Sequence, residues 1–285
     1  MRFEDYPPQE PGSPGAEVYR RTCIERSFGV PFTERRFGGD PHQSVAIYPA
    51  VVDGGPLFIF IHGGGWTGGY KETMAFMAPE FCRQGITFAS LGYRLAPDHV
   101  FPVGLEDCAT GLKLLYDAAG EFGYGQDRIF MGGHSAGGHY AALLAVRSDW
   151  QSRLGLPVDV IRGCLPISGV YRFGEGAGFA MRPRFLGPED SGLDHAASPV
   201  MDIQQAPPFL IAYGEKDFPH LCRQAEEMAQ ALRAASGYVE TVVMPGRDHF
   251  TASLAGGEPN GPWVPKALGF LRQFPAVRAK LTATR

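Results

Sequence analysis

Apolar residues fall into two rhythms along this chain. Short apolar runs at residues 57–61 (LFIFI), 86–91, 129–131, 163–168, 208–214 and 238–244 predict strands. The LFIFI run has no polar alternation, the mark of a strand covered on both faces in a parallel sheet. Segments with apolar positions three or four apart predict helices over 74–84, 103–119, 140–146, 220–235 and 262–274. In the second of these, Leu105, Cys108, Leu112 and Leu115 trace one face. Looser alternation at 32–37 and 44–48 predicts antiparallel strands that lead the sheet, and 16–28 predicts a helix before them. Strand followed by helix, repeated, predicts an α/β fold with a mostly parallel twisted sheet and helices on both faces. No repeat or linker divides the chain, so one domain over 1–285 is expected, with residues 1–40 as an arm or cap. Residues 171–201 break both rhythms with aromatics, glycines and prolines. A connection that long is expected to be a lid or binding insertion.

Composition narrows the class. The chain has 285 residues, 44% hydrophobic and 20% charged, with a formal net charge of -4. No basic run or basic-aromatic interleaving appears, which argues against a nucleic-acid surface. No apolar run is long enough to cross a bilayer, so no membrane partner is expected. The first eight residues lack the apolar stretch of a signal peptide. Five scattered cysteines with no CxxC pair read as free thiols in a reducing compartment. These features together predict a cytoplasmic protein acting on small organic molecules.

The candidate chemistry sits at strand ends. After the strand at 129–131 comes Gly132-Gly133-His134-Ser135-Ala136-Gly137-Gly138. Its core fits the G-x-S-x-G nucleophile elbow, a strand-to-helix turn that lifts a serine hydroxyl above the sheet edge. Glycines flank the serine because a Cβ there is expected to crowd the serine's own backbone. The LFIFI strand runs into His62-Gly63-Gly64-Gly65-Trp66. Consecutive glycines leave N–H groups open to a developing oxyanion, as an acyl-transfer intermediate requires. Gly63, Gly65 and Gly68 also fit a dinucleotide fingerprint, but the next strand leads to Tyr93-Arg94 with no acid placed for a ribose. A carboxylate, Asp217, lies just past the strand at 208–214, and His249 follows the last strand. Asp202 is a turn residue or a reserve acid, Asp248 adjoins His249 too closely to orient it, and His220 is the other histidine after Asp217.

These motifs resemble the α/β-hydrolase fold family. HGGGW at 62–66, YRLAP-DHVFP at 93–102 with LED at 105–107, and the elbow at 133–138 are similar to the hormone-sensitive-lipase-like esterases. One departure is His134, where that branch usually has Asp. Gly-His-Ser-Ala-Gly, with Leu165 to Tyr171, resembles the kynurenine formamidase (arylformamidase) branch instead. Formamidases usually carry an aromatic residue where this chain has Gly65. The resemblance implies a serine carboxylesterase for small to medium acyl esters, or alternatively an arylformamidase-like amidohydrolase. A non-catalytic binding protein on the same scaffold ranks last, because such proteins lose a triad member. The order Ser135, Asp217, His249 implies nucleophile, acid and base, with Gly64, Gly65 and Ala136 as oxyanion donors. Trp66, His134, Phe179 and Phe185 are the expected substrate-binding residues. No metal or organic cofactor is needed, and the resemblance leaves a homodimer open.

Overall fold

The computed structural model describes residues 3–178 and 182–274. Eight strands form one sheet: β1 (Thr33–Arg36), β2 (Ser44–Tyr48), β3 (Gly55–Ile61), β4 (Thr87–Leu91), β5 (Tyr124–His134), β6 (Ile161–Ile167), β7 (Phe209–Gly214) and β8 (Val239–Met244). Their order in space is β1-β2-β4-β3-β5-β6-β7-β8. The β1–β2 and β2–β4 pairings are antiparallel and the other five are parallel.

The helices are α1 (Pro14–Ser27), α2 (Ala78–Arg83), α3 (Val103–Asp117), α4 (Ala119–Phe122), α5 (Ala136–Val146), α6 (Arg182–Leu186), α7 (Leu193–Ala197), α8 (Pro219–Ala234), α9 (His249–Leu254) and α10 (Val264–Gln273). The LFIFI run explains the layering. Leu57, Ile59 and Ile61 point into one core with Leu112, Leu143 and Met228 of α3, α5 and α8. Phe58 and Phe60 point into the other, with Phe81, Trp263 and Phe270. Each fully buried side chain of this size contributes about 1.5–3 kcal/mol, so neither face of β3 tolerates a polar residue. Helix α8 buries Leu221, Ala225, Met228 and Leu232, one stripe at helical spacing.

Some boundaries differ from the sequence pattern. The helix expected over 74–84 is a 3₁₀ segment, Lys71–Met77, followed by α2. Pro79 sits in the first turn of α2, the one place in a helix where its missing N–H costs nothing. The helix expected from 140 already starts at Ala136. A Cβ on Gly133 would lie 2.4 Å from the Gly137 carbonyl, and one on Gly137 would lie 2.1 Å from the Ile61 carbonyl oxygen of β3. The crowding is thus between helix, elbow and neighbouring strand, not within the serine's backbone. Residues 171–201 contain the short helices α6 and α7, which their prolines and glycines keep brief.

Pairings such as Ile61↔Gly133, His134↔Ile167 and Gly214↔Met244 bring the carboxyl ends of β3, β5, β6, β7 and β8 to one rim. The crevice outside such a rim is where an open α/β sheet places its site.

Candidate active site

Ser135 stands between β5 and α5 with φ +53° and ψ -115°. A non-glycine residue held there costs of order 1–3 kcal/mol, which the packed turn must offset. The Ser135 N–H donates to Ile167 O at 3.0 Å, tying the elbow to β6. His249 opens α9. Asp248 caps that helix, its carboxylate accepting from the Thr251 N–H at 2.8 Å, so Asp248 serves the backbone and Asp217 serves the histidine. His249 Nδ1 donates to Asp217 Oδ1 at 2.9 Å, because a carboxylate can only accept. That tautomer leaves Nε2 as acceptor for the Ser135 hydroxyl, 3.0 Å away.

Asp217 sits at the carboxyl end of β7 and is 6% exposed. Burial alone would raise its pKa. Hydrogen bonding and charge from His249, the Ser168 hydroxyl and the Phe218 N–H outweigh it and hold the carboxyl below its ordinary range. The Ser168 hydroxyl donates to Oδ2, and the Phe218 N–H donates to Oδ1 at 2.7 Å. Ser168 follows β6 with φ +51° and is 1% exposed. Two strand ends therefore fix one carboxylate.

The glycine loop after β3 lies against the elbow. A Cβ built on Gly63 would be 2.9 Å from His134 O and 3.3 Å from Ser135 Cβ. Thr67 and Gly68 N–H groups donate to Gly64 O at 3.2 and 3.0 Å, which closes the loop into a tight turn. Ala136 is the first residue of α5, where a helix has no upstream carbonyl to take its N–H. His62 Nδ1–H donates to Gly63 O at 2.8 Å, and burial pushes its pKa down to about 3. The imidazole stays neutral and serves the loop's shape. The arrangement offers a serine with a base in reach, an oriented base, and N–H groups at a helix start and glycine turn. That set can carry acyl transfer.

A family model for the alpha/beta hydrolase fold matches residues 58–253. The chain belongs to the alpha/beta hydrolase fold family. Esterase LipC of Mycobacterium tuberculosis is 29% identical over 86% of this chain and 65% of its own length. Carboxylic ester hydrolase LipN of the same organism is 32% identical over 65% of this chain and 54% of its own. Kynurenine formamidase of Salmo salar is 26% identical over 68% and 66%. The chain thus spans between half and two thirds of these curated relatives, from 54% to 66% of their length. Among solved structures, an esterase from Pyrobaculum calidifontis has a TM-score of 0.74 at 20% identity over 92% of both chains. The metagenomic carboxylesterase EstE1 has 0.69 at 23% identity, over 90% of this chain and 95% of its own. At those identities the likeness shows the fold.

Of the expected pocket residues of this alpha/beta hydrolase, Trp66, His134 and Phe185 are buried. Trp66 and Phe185 are brought together, but as a stacked pair 4.2 Å apart, 2% and 0% exposed. Each covers the other, so they brace the flank of the glycine loop and present no open face. The Trp66 indole N–H donates to His139 Nδ1 at 3.2 Å, and His139 Nε2–H donates to Ala197 O at 2.6 Å. His134 is 2% exposed. Its Nε2–H donates to His249 O at 2.9 Å, and Tyr19 of α1 reaches its Nδ1 at 3.4 Å. His134 thus holds the backbone of the base from behind. Phe179 lies outside the described residues. Asp202 pairs with Arg147, away from His249.

Sequence reasoning missed Ser168, Phe218, His139 and the individual contacts of the expected arm. Gln9 grips Gly69 twice, accepting from its N–H at 2.9 Å and donating to its carbonyl at 3.0 Å. The Tyr6 hydroxyl accepts from Lys71 at 2.6 Å and donates to Glu72 at 2.9 Å. Glu10 pairs with Arg184 of α6. No local motif marks these contacts, because their partners are 60 or more residues away.

Proposed function

We propose that this chain is a serine carboxylesterase that cleaves small to medium acyl esters through an acyl-enzyme. The observation that carries it is the unbroken relay from Asp217 through His249 to Ser135, at 2.9 and 3.0 Å, beside the glycine loop. Ser135 Oγ attacks the acyl carbonyl while His249 Nε2 takes its proton. Gly64, Gly65 and Ala136 N–H groups receive the charge on the carbonyl oxygen. His249 then returns the proton to the leaving alcohol. Water, deprotonated by the same imidazole, frees the acid and restores Ser135. Asp217 keeps the imidazole in its Nδ1–H tautomer and stabilises its charged form.

The second reading is an arylformamidase, favoured by His134 in the elbow and by the relative of that name in Salmo salar. Both reactions use the same groups. The names of LipC and LipN support the ester reading. Five unpaired cysteines support a reducing, cytoplasmic setting. Among the described residues no helix is long and apolar enough to cross a membrane.

The test is a steady-state comparison of p-nitrophenyl acetate, butyrate and octanoate with N-formylkynurenine, using Ser135→Ala as blank. A short ester should give the highest kcat/KM. A formamide ahead of every ester by a large factor would move the chain to the second reading.

A further inference from the structure

We propose that Phe218 is a stacking platform for the leaving half of the substrate, and that the preferred substrates carry an aromatic leaving group. The inference rests on the serine-hydrolase reading and adds the substrate class.

The argument starts from where the leaving group must be. As the C–O bond of the tetrahedral adduct breaks, the proton on His249 Nε2 passes to the departing oxygen, and the acyl group stays on Ser135 Oγ. The leaving group therefore sits within hydrogen-bond reach of Nε2. Two phenylalanine rings meet that imidazole. Phe250 is 5.4 Å from it edge-on and is covered by Tyr19 of α1, 5.4 Å away. Phe218 lies 4.9 Å from the imidazole, tilted by 39°.

Phe218 is 47% exposed, while Asp217 and His249 are 6% and 7% exposed. An exposed phenylalanine alone means little. This one is held at both ends. Its N–H is fixed on Asp217 Oδ1, and its ring stacks on His220 at 5.8 Å and 10°. It also caps α8, just ahead of Pro219, so its backbone does not drift. Among the described residues the other exposed aromatic side chains, Phe28 at 83% and Tyr238 at 42%, stand at the end of α1 and just ahead of β8. The rings near the glycine loop, Trp66, Phe173 and Phe185, are 2%, 5% and 0% exposed and packed on one another. Among the described residues, Phe218 is left as a rigid aromatic surface beside the proton donor. A flat π system on the departing oxygen or nitrogen meets it offset or edge-on, an arrangement that stabilises aromatic pairs by about 0.5–1.5 kcal/mol beyond burial.

The experiment compares benzyl acetate with cyclohexylmethyl acetate. The acyl groups are identical, the leaving alcohols have similar acidity, and only one has a π face. kcat/KM is measured for wild type, Phe218→Leu and Phe218→Trp, with Ser135→Ala as blank. The benzyl-to-cyclohexylmethyl ratio should fall roughly 2- to 10-fold in Phe218→Leu and be kept in Phe218→Trp. Ser135-dependent hydrolysis with the same ratio in all three overturns the platform and leaves the esterase reading standing. Hydrolysis that survives in Ser135→Ala, or is missing in wild type, overturns the esterase reading and the platform with it.

Discussion

Protonating His139 should pull this fold apart, and the size of the effect follows from its partners. Its Nδ1 faces an indole N–H, which can only donate, and its Nε2–H faces the Ala197 carbonyl, which can only accept. A second proton would set N–H against N–H inside the core. Burial pushes the pKa of His139 down to about 4. In the unfolded chain it returns to about 6.5. Below pH 6.5 the unfolded state therefore binds a proton that the folded state refuses. Stability rises with pH between about 4 and 6.5 and is lost as pH falls through that window. Between pH 7 and pH 5 one such histidine removes about 2 kcal/mol. The check is urea unfolding of wild type and His139→Gln at both pH values. Glutamine does not titrate. The variant should be less stable at pH 7 by about 1–3 kcal/mol for the disturbed hydrogen bonds. Its deficit should shrink by about 2 kcal/mol at pH 5. An equal deficit at both pH values would refute the reasoning, because His139 would then not be held neutral.

Four other outcomes are expected. Ser135→Ala and His249→Ala should each lower turnover about 10⁴-fold or more on p-nitrophenyl butyrate, and Asp217→Asn somewhat less. Asp202→Asn should stay within about twofold of wild type, since the carboxylate pairs with Arg147; a dead Asp202→Asn with an active Asp217→Asn would reverse the acid assignment. Ser168→Ala should cut kcat on the order of tenfold with KM little changed, because a hydrogen bond to a charged group is worth about 1.5–3 kcal/mol; Ser168→Gly, which relieves the positive φ, should melt higher yet be equally slow. Gly137→Ala should fail to accumulate as folded protein by circular dichroism, because its Cβ has nowhere to go 2.1 Å from the Ile61 carbonyl.

The sequence was most informative where local pattern and chemistry coincide. The LFIFI run, the glycine loop and the elbow are each contiguous in sequence, and the motifs are legible together with the strand and helix that flank them. The order Ser135, Asp217, His249 could be read because each residue ends or follows a strand, and strand ends converge. What stayed hidden is what depends on three-dimensional neighbours. Ser168 looked like the tail of a strand, and only the β6–β7 pairing puts its hydroxyl on Asp217. Trp66 suggests a pocket wall because it ends the glycine motif, and Phe185 because it lies in the aromatic-rich insertion at 171–201. Their stacking across 119 positions of sequence is invisible to any window. His134 was weighed as a pocket residue from its adjacency to Ser135. The alternation of a strand turns it to the opposite side, onto His249 O.

The contacts of residues 6–10 set a schedule for the making of this protein. This arm leaves the ribosome before its partners: Gly69 follows Gln9 by 60 positions, Lys71 follows Tyr6 by 65 and Arg184 follows Glu10 by 174. At ribosomal speeds of about 5–20 residues per second, the last of these partners arrives roughly 10 to 35 s later. Gln9 and Tyr6 wait about 3 to 13 s for Gly69 and Lys71, and Glu10 waits longest. Residues made before their partners thus take their place only after them.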